Sequence, residues 1–279
     1  MFDWLLDKVR ALTSDTIEVN TIQWQANWSA YLNDNVAFYR TLKKEDKSLF
    51  EERARLFLET TEVESGQFEV TDEDRLLVAA SAVIPVWGFP DWHYFNIQKV
   101  FLLPASFNEQ FECGQPDSVI TGMVGTGPMA GKLALSQPAL HLGFSNTKDK
   151  QNVGIHEFVH LVDMADGDCD GFPERLKKYA YSIPWFELVE CKITGIENNE
   201  SNIRDYGATN KAEFLAVASE YFFERPKMMK KKHPKLYQAL SDFYQQDVMR
   251  IAEDIKPKRR GPCPCGSGKK YKNCCLPKS

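Results

Sequence analysis

The feature that most constrains this chain is one short segment, His156-Glu157-Phe158-Val159-His160. On an α-helix, residues four apart share a face, with Cβ atoms about 5–6 Å apart. Two imidazole nitrogens at that spacing can converge on a single zinc ion. Glu157 lies to the side, where its carboxylate reaches a water on the metal rather than the metal itself. Zinc lowers the pKa of such a water to ~7, so hydroxide is available at neutral pH, and Glu157 would take the proton and pass it to a leaving amine. The neighbours Ile155, Phe158, Val159, Leu161 and Val162 are uncharged, as a buried helix requires. A helix from Asn152 to Ala165 is therefore expected, stopped by Gly167. The plainer alternative is a buried helix whose two histidines are simply hydrogen-bonded.

Two histidines do not complete a catalytic zinc site, which needs a third protein ligand and an open fourth position. The metzincin continuation of the motif requires glycine at 163 and histidine at 166; Asp163 and Asp166 stand there and exclude that class. His93, His141 and His233 sit in no matching context. Asp166 could serve, but no glycine precedes it to turn the chain back. Glu213 is the better candidate. It lies in an expected helix from Asn210 to Phe223 that is almost wholly apolar around it, and a carboxylate on such a face needs a partner. A second reading fits the same letters, since Asn210-x-x-Glu213 is also a capping-box pattern. Glu220, two turns on, could orient a ligating histidine or pair with Arg225.

The 279 residues are 43% hydrophobic and 26% charged, a balance that permits a well-filled core. No apolar run approaches the ~20 residues a membrane span needs. The N-terminal Met1-Phe2-Asp3-Trp4-Leu5-Leu6-Asp7 lacks a basic region and a long apolar stretch, so it is not a secretory signal and reads as a short amphipathic helix. A cytoplasmic location is the expectation. Residues 1–61 read as helical, and Asp72 to Ile84 as a helix with an acidic first turn. Val100–Leu103, Val119–Thr121 and Lys132–Ser136 read as strands, the last either an edge that meets substrate or a plain core strand. Gly125-Thr126-Gly127-Pro128 is a turn and not a dinucleotide fingerprint, because a strand follows it. Helices are expected over Pro173–Glu190 and Pro234–Ile255. The loop Asp166-Gly167-Asp168-Cys169-Asp170-Gly171 imitates half a calcium loop, but Lys177 stands where the bidentate glutamate belongs, so it reads as a cap or substrate-contacting loop.

Charge and cysteine divide the chain. Net charge is −5, yet residues 256–279 carry eight Lys/Arg and no acid, which leaves 26 bases against 39 acids in the rest. Cys113, Cys169 and Cys191 are scattered, whereas Cys263, Cys265, Cys274 and Cys275 cluster around Gly266-Ser267-Gly268. Four thiolates suit tetrahedral zinc, and so short a segment needs a metal to fold. The organisation expected is a domain over 1–255, a basic linker over 256–262 and a zinc-binding tail over 263–279. Tyr271 alone offers no stacking platform, so nucleic acid is not an expected partner.

Two resemblances follow from these residues. Residues 72–225 resemble the Mlc titration factor A family, bacterial zinc peptidases of the gluzincin type. The similarity is carried by Leu76-Leu77-Val78-Ala79-Ala80, by the His-Glu-Phe-Val-His segment with Asp163-Met164-Ala165-Asp166-Gly167, and by Tyr206 to Glu224. This implies an α+β zincin-like domain, mostly helical with a small sheet. It implies His156, His160 and Glu213 as zinc ligands, Glu157 as general base and a peptide substrate cleaved in an aminopeptidase-like manner. It also implies a role for Tyr206, otherwise a loop tyrosine, whose phenol would stabilise an oxyanion. The resemblance further implies a second function, sequestration of the glucose repressor Mlc with effects on sugar uptake. The tail resembles the SEC-C motif, a zinc knuckle that contacts other proteins.

Overall fold

The computed structural model describes residues 22–125, 127–146, 149–173 and 182–249, together with Lys270. The basic linker, the expected N-terminal amphipathic helix and Cys263, Cys265, Cys274 and Cys275 lie outside these residues.

The chain opens with helices α1 (Ala26–Asn35), α2 (Ala37–Arg40) and α3 (Lys44–Thr60), then strand β1 (Glu62–Glu64) and helix α4 (Asp72–Val83). The acidic first turn of α4 does more than suit the helix dipole. Thr71 and Asp74 form a reciprocal capping box, and the fully buried Asp74 also accepts from Gln137 and His141, which ties α4 to a later helix. Every residue from Leu76 to Val83 is buried, so α4 is covered on all sides.

Strands β2 (Ile97–Leu103), β3 (Gly122–Val124) and β4 (Gly131–Ser136) complete a four-stranded sheet in the order β1-β2-β4-β3. β1, β2 and β4 are parallel, and β3 runs antiparallel to β4. The α+β class is as expected, and of the two readings of Lys132–Ser136 the core strand holds. β4, with Leu133 to Ser136 buried, is an interior strand, and β1 and β3 are the edges. The third strand also lies further along than Val119–Thr121. Ile120 exchanges backbone bonds with Phe107, and only from Thr121, whose carbonyl accepts from Ser136 N, does the chain join β4.

Beyond the sheet come α5 (Gln137–Ser145), α6 (Val153–Asp163), α7 (Ser182–Glu197), α8 (Lys211–Glu224), α9 (Pro226–Lys232) and α10 (Pro234–Tyr244). Helix α7 runs past the expected end at Glu190. Helix α10 stops well before Ile255, because Gln245 turns into the left-handed region at φ 51°.

Helix α6 is the buried axis of the domain, with Gly154 to Asp163 all buried. Asn152 caps it by accepting from Ile155 N at 3.1 Å. Phe158 packs edge-to-face on Phe57 and Tyr94, at 5.5 and 5.3 Å between ring centroids. Burying such a ring contributes about 1.5–3 kcal/mol. Asn96 donates to the Leu161 carbonyl near the other end. The helix passes into a 3-10 turn at Met164–Asp166 and ends at Gly167, φ 103°.

Candidate active site

Helices α6 and α8 bring three potential ligands together. His156 Nε2 lies 3.1 Å from His160 Nε2 and 3.0 Å from Glu213 Oε2, and His160 Nε2 lies 3.6 Å from the same oxygen. Ligands at about 2.0–2.1 Å from a tetrahedral zinc stand about 3.3 Å apart. The three observed separations bracket that value, so this donor set fits zinc. No other group of three or more His, Cys, Asp or Glu among the described residues comes together this way. Of the capping box that Asn210-x-x-Glu213 offers, only the Asn210 half is present. Asn210 caps α8 by accepting from Glu213 N at 2.9 Å, while the Glu213 carboxylate points at the histidines.

Each histidine has its other ring nitrogen engaged. His156 Nδ1 lies 2.8 Å from Glu220 Oε1, and His160 Nδ1 lies 3.7 Å from Cys169 Sγ. Glu220 is buried and takes two further donors, Asn152 N at 2.6 Å and Arg204 Nη2. A proton fixed on Nδ1 of His156 leaves its Nε2 lone pair free for a metal.

The electrostatics favour a cation. Burial opposes a charge on His156, but Glu213 and Glu220 overcome it and push its pKa up to about 10. Burial likewise opposes the charge on Glu213, and the two histidines outweigh it and hold its carboxyl well below the ordinary range. Glu157, buried beside them, has its pKa raised by desolvation. Its carboxylate lies against the edge strand at Gly122. The Tyr206 ring is 5.9 Å from that of His156, half-exposed, and its phenol is pushed up to about 12 by burial and then by Glu213. It therefore keeps its proton at neutral pH.

The acidic loop after α6 is a brace. Asp163 Oδ2 accepts from Gly171 N at 2.8 Å, and Trp185 Nε1 donates to the Gly171 carbonyl. Gly171 has φ 74°, and a Cβ there would meet Lys211 O at 2.3 Å. The end of α6 is thus pinned against the start of α8. Asp166 stays outside the three-ligand cluster.

A sequence model described as glucose-regulated metallo-peptidase M90 matches residues 10–245, and one for the SEC-C motif matches residues 261–277. The chain belongs to the M90 metallo-peptidase family. It is 30% identical over 230 residues to the uncharacterized protein slr2042 of Synechocystis sp., an alignment covering 78% of this chain and 83% of that protein. It is 25% identical over 207 residues to Mlc titration factor A of Serratia proteamaculans, covering 70% and 78% respectively. With Mlc titration factor A of Escherichia coli the identity is 33% over 104 residues, 35% of this chain and 39% of that one.

For an M90 protein the architecture accords with the zincin-like α+β class. Among the remaining histidines, His141 belongs to the Asp74 cluster and His233 bonds Asn202. Sequence reasoning missed Arg204, the cation on Glu220, and Gly122 beside Glu157. It also treated Asn152 as an ordinary helix residue, although an asparagine ahead of an apolar periodic segment is a legible cap. No local signal marks the other two.

Proposed function

We propose that this M90 protein is a zinc-dependent peptidase with His156, His160 and Glu213 as ligands. The observation that carries the reading is the meeting of these three side chains with a buried Glu157 alongside. Zinc, when bound, supplies Lewis acidity and makes water more acidic at neutral pH. Glu157 accepts the proton of the attacking water and returns it to the leaving nitrogen. Tyr206 donates its phenolic proton in a hydrogen bond to the carbonyl oxygen as charge develops there. Glu220 holds the His156 ring in its ligating tautomer. The substrate class is short peptides and chain ends, cleaved in the manner of an aminopeptidase. The test is hydrolysis of a panel of fluorogenic amino-acid and short-peptide substrates by zinc-loaded protein, run beside Glu157→Ala. Turnover that the substitution abolishes is expected; equal rates in both proteins would overturn the assignment.

A second reading rests on the relatives named Mlc titration factor A. It holds that the chain also sequesters an Mlc-like transcriptional repressor in the cytoplasm and so relieves control of sugar uptake. Among the described residues no helix is long and apolar enough to cross a membrane. The SEC-C segment would form a separate zinc knuckle over 263–279, on Cys263, Cys265, Cys274 and Cys275, behind a linker over 256–262. It would recruit a protein partner. Repressor binding that survives Glu157→Ala separates the two functions. Partner capture that is unchanged when the chain is cut after Ile255 sinks the role of the tail.

A further inference from the structure

Gly122 stands in the edge strand β3, opposite Leu135 of β4. A glycine inside a strand costs about 0.5–1 kcal/mol relative to alanine, so it calls for a reason. The backbone supplies none, since Gly122 is not among the glycines with positive φ. Space supplies one. A Cβ at this position would lie 2.5 Å from Glu157 Oε1, 2.7 Å from Glu157 Cγ and 2.7 Å from Val153 Cγ2. The volume that a side chain would fill at position 122 is therefore occupied by the carboxylate of Glu157.

We propose that Gly122 is a positioning residue for Glu157, its missing side chain forming the seat that holds this carboxylate against the edge strand. The inference rests on the reading of Glu157 as general base. It gives β3 a part in setting the base, because two of the three atoms nearest to a Cβ at 122 belong to Glu157 and the third to Val153. A methyl group in the seat meets Glu157 at both Oε1 and Cγ and the stiff, branched Val153 at Cγ2, so both side chains must give way and the carboxylate, at the far end of the more flexible one, moves furthest. Its displacement removes the proton acceptor and leaves the ligand cluster standing.

The test uses full-length, zinc-loaded Gly122→Ala, Glu157→Gln and the double variant. Zinc affinity, kcat, KM and the affinity of a peptide hydroxamate are measured in each. A hydroxamate gives up a proton on binding zinc and so reports the acceptor without turnover. Gly122→Ala is expected to keep zinc affinity within about twofold and KM within about threefold. It should lose at least tenfold in kcat, about 1.4 kcal/mol in the barrier, and at least tenfold in hydroxamate affinity. Added to Glu157→Gln, it should weaken hydroxamate binding no further. Wild-type kcat and hydroxamate affinity in Gly122→Ala, or an equal further loss in the double variant, would overturn the seat. Wild-type kcat in Glu157→Gln would overturn the base assignment instead. Should Gly122→Ala fail to fold, Gly122→Ala with Val153→Ala relieves one of the three close contacts and carries the same measurements.

Discussion

The carboxylate of Glu220 is the part of the site whose removal gives the most measurable consequence. It is 1% exposed and receives His156 Nδ1 at 2.8 Å, Asn152 N at 2.6 Å and the Arg204 guanidinium. Hydrogen bonds to a charged group contribute about 1.5–3 kcal/mol each, and stripping a buried ion of its partner costs about 3–5 kcal/mol. Glu220→Ala should therefore destabilise the fold by several kcal/mol, which confuses its effect on the metal. Glu220→Gln keeps the shape but leaves one acceptor oxygen for three donors and no charge, so it weakens the hold on His156 without emptying the space. Loss of a group that orients a ligating histidine lowers metal affinity about 10–100-fold, which is about 1.4–2.7 kcal/mol. Competition for zinc against a chromophoric chelator reads this directly. Thermal unfolding gives a second readout. Zinc at a hundredfold over Kd stabilises the native state by about 2.7 kcal/mol, and a hundredfold weaker site would retain about 0.4 kcal/mol of that. Wild-type zinc affinity in Glu220→Gln would refute the claim that the charged carboxylate strengthens His156 as a ligand.

Other substitutions test separate parts of the site. Glu213→Ala, which removes the proposed third ligand and keeps the Asn210 cap bond to its backbone, should yield protein that folds yet no longer retains zinc at the α6–α8 cluster, measured by metal analysis after dialysis. Tyr206→Phe should lower kcat by about 10–10³-fold with KM and zinc affinity little changed, as expected for an oxyanion donor; steady-state kinetics would expose a role in ground-state binding as a rise in KM alone. Glu224 is desolvated, accepts from Asn152 Nδ2 at 3.3 Å, and its pKa is pushed up to about 8. The native state then binds more protons than the unfolded chain between about pH 4.5 and 8, so stability falls as pH rises through that window. Glu224→Gln should abolish this dependence and gain on wild type from pH 5 to pH 9 in urea unfolding; parallel profiles would mean that Glu224 ionises normally.

The parts of this fold that were legible in the sequence are those fixed by local physics. Asn152 and Asn210 announce helix starts, Gly167 an end, and the spacing of His156 and His160 a shared face. The capping box at Asn210 and the proposed ligand role of Glu213 compete for one carboxylate, and its placement beside the histidines depends on how α8 packs on α6, which the local sequence does not show. Contacts made at long range were not legible. Val119, Ile120 and Thr121 have stronger strand propensity than Gly122-Met123-Val124, but the register of β4 decides which residues pair. The amphipathic pattern after Pro234 does not show that the chain reverses hand at Gln245.

The distances within the ligand cluster follow from how its two helices are joined. Helices α6 and α8 run antiparallel, and their contacts fall at both ends. At the start of α6, Asn152 gives its N–H to Glu220 and its side-chain amide to Glu224. At its end, Asp163 holds Gly171, whose α-carbon packs on the backbone of Lys211. With both ends braced, α8 cannot slide along α6 without breaking a buried polar contact. The cap residue of one ligand helix is thereby held by a carboxylate of the other. Glu213 consequently meets His156 and His160 at a distance set by four contacts outside the three-residue cluster. Only one of these, through Glu220, also touches a ligand. Loss of the Asp163 or Gly171 contact should therefore loosen the ligand geometry without altering the tautomer of His156, a distinction that zinc affinity and hydroxamate affinity, measured together, would resolve.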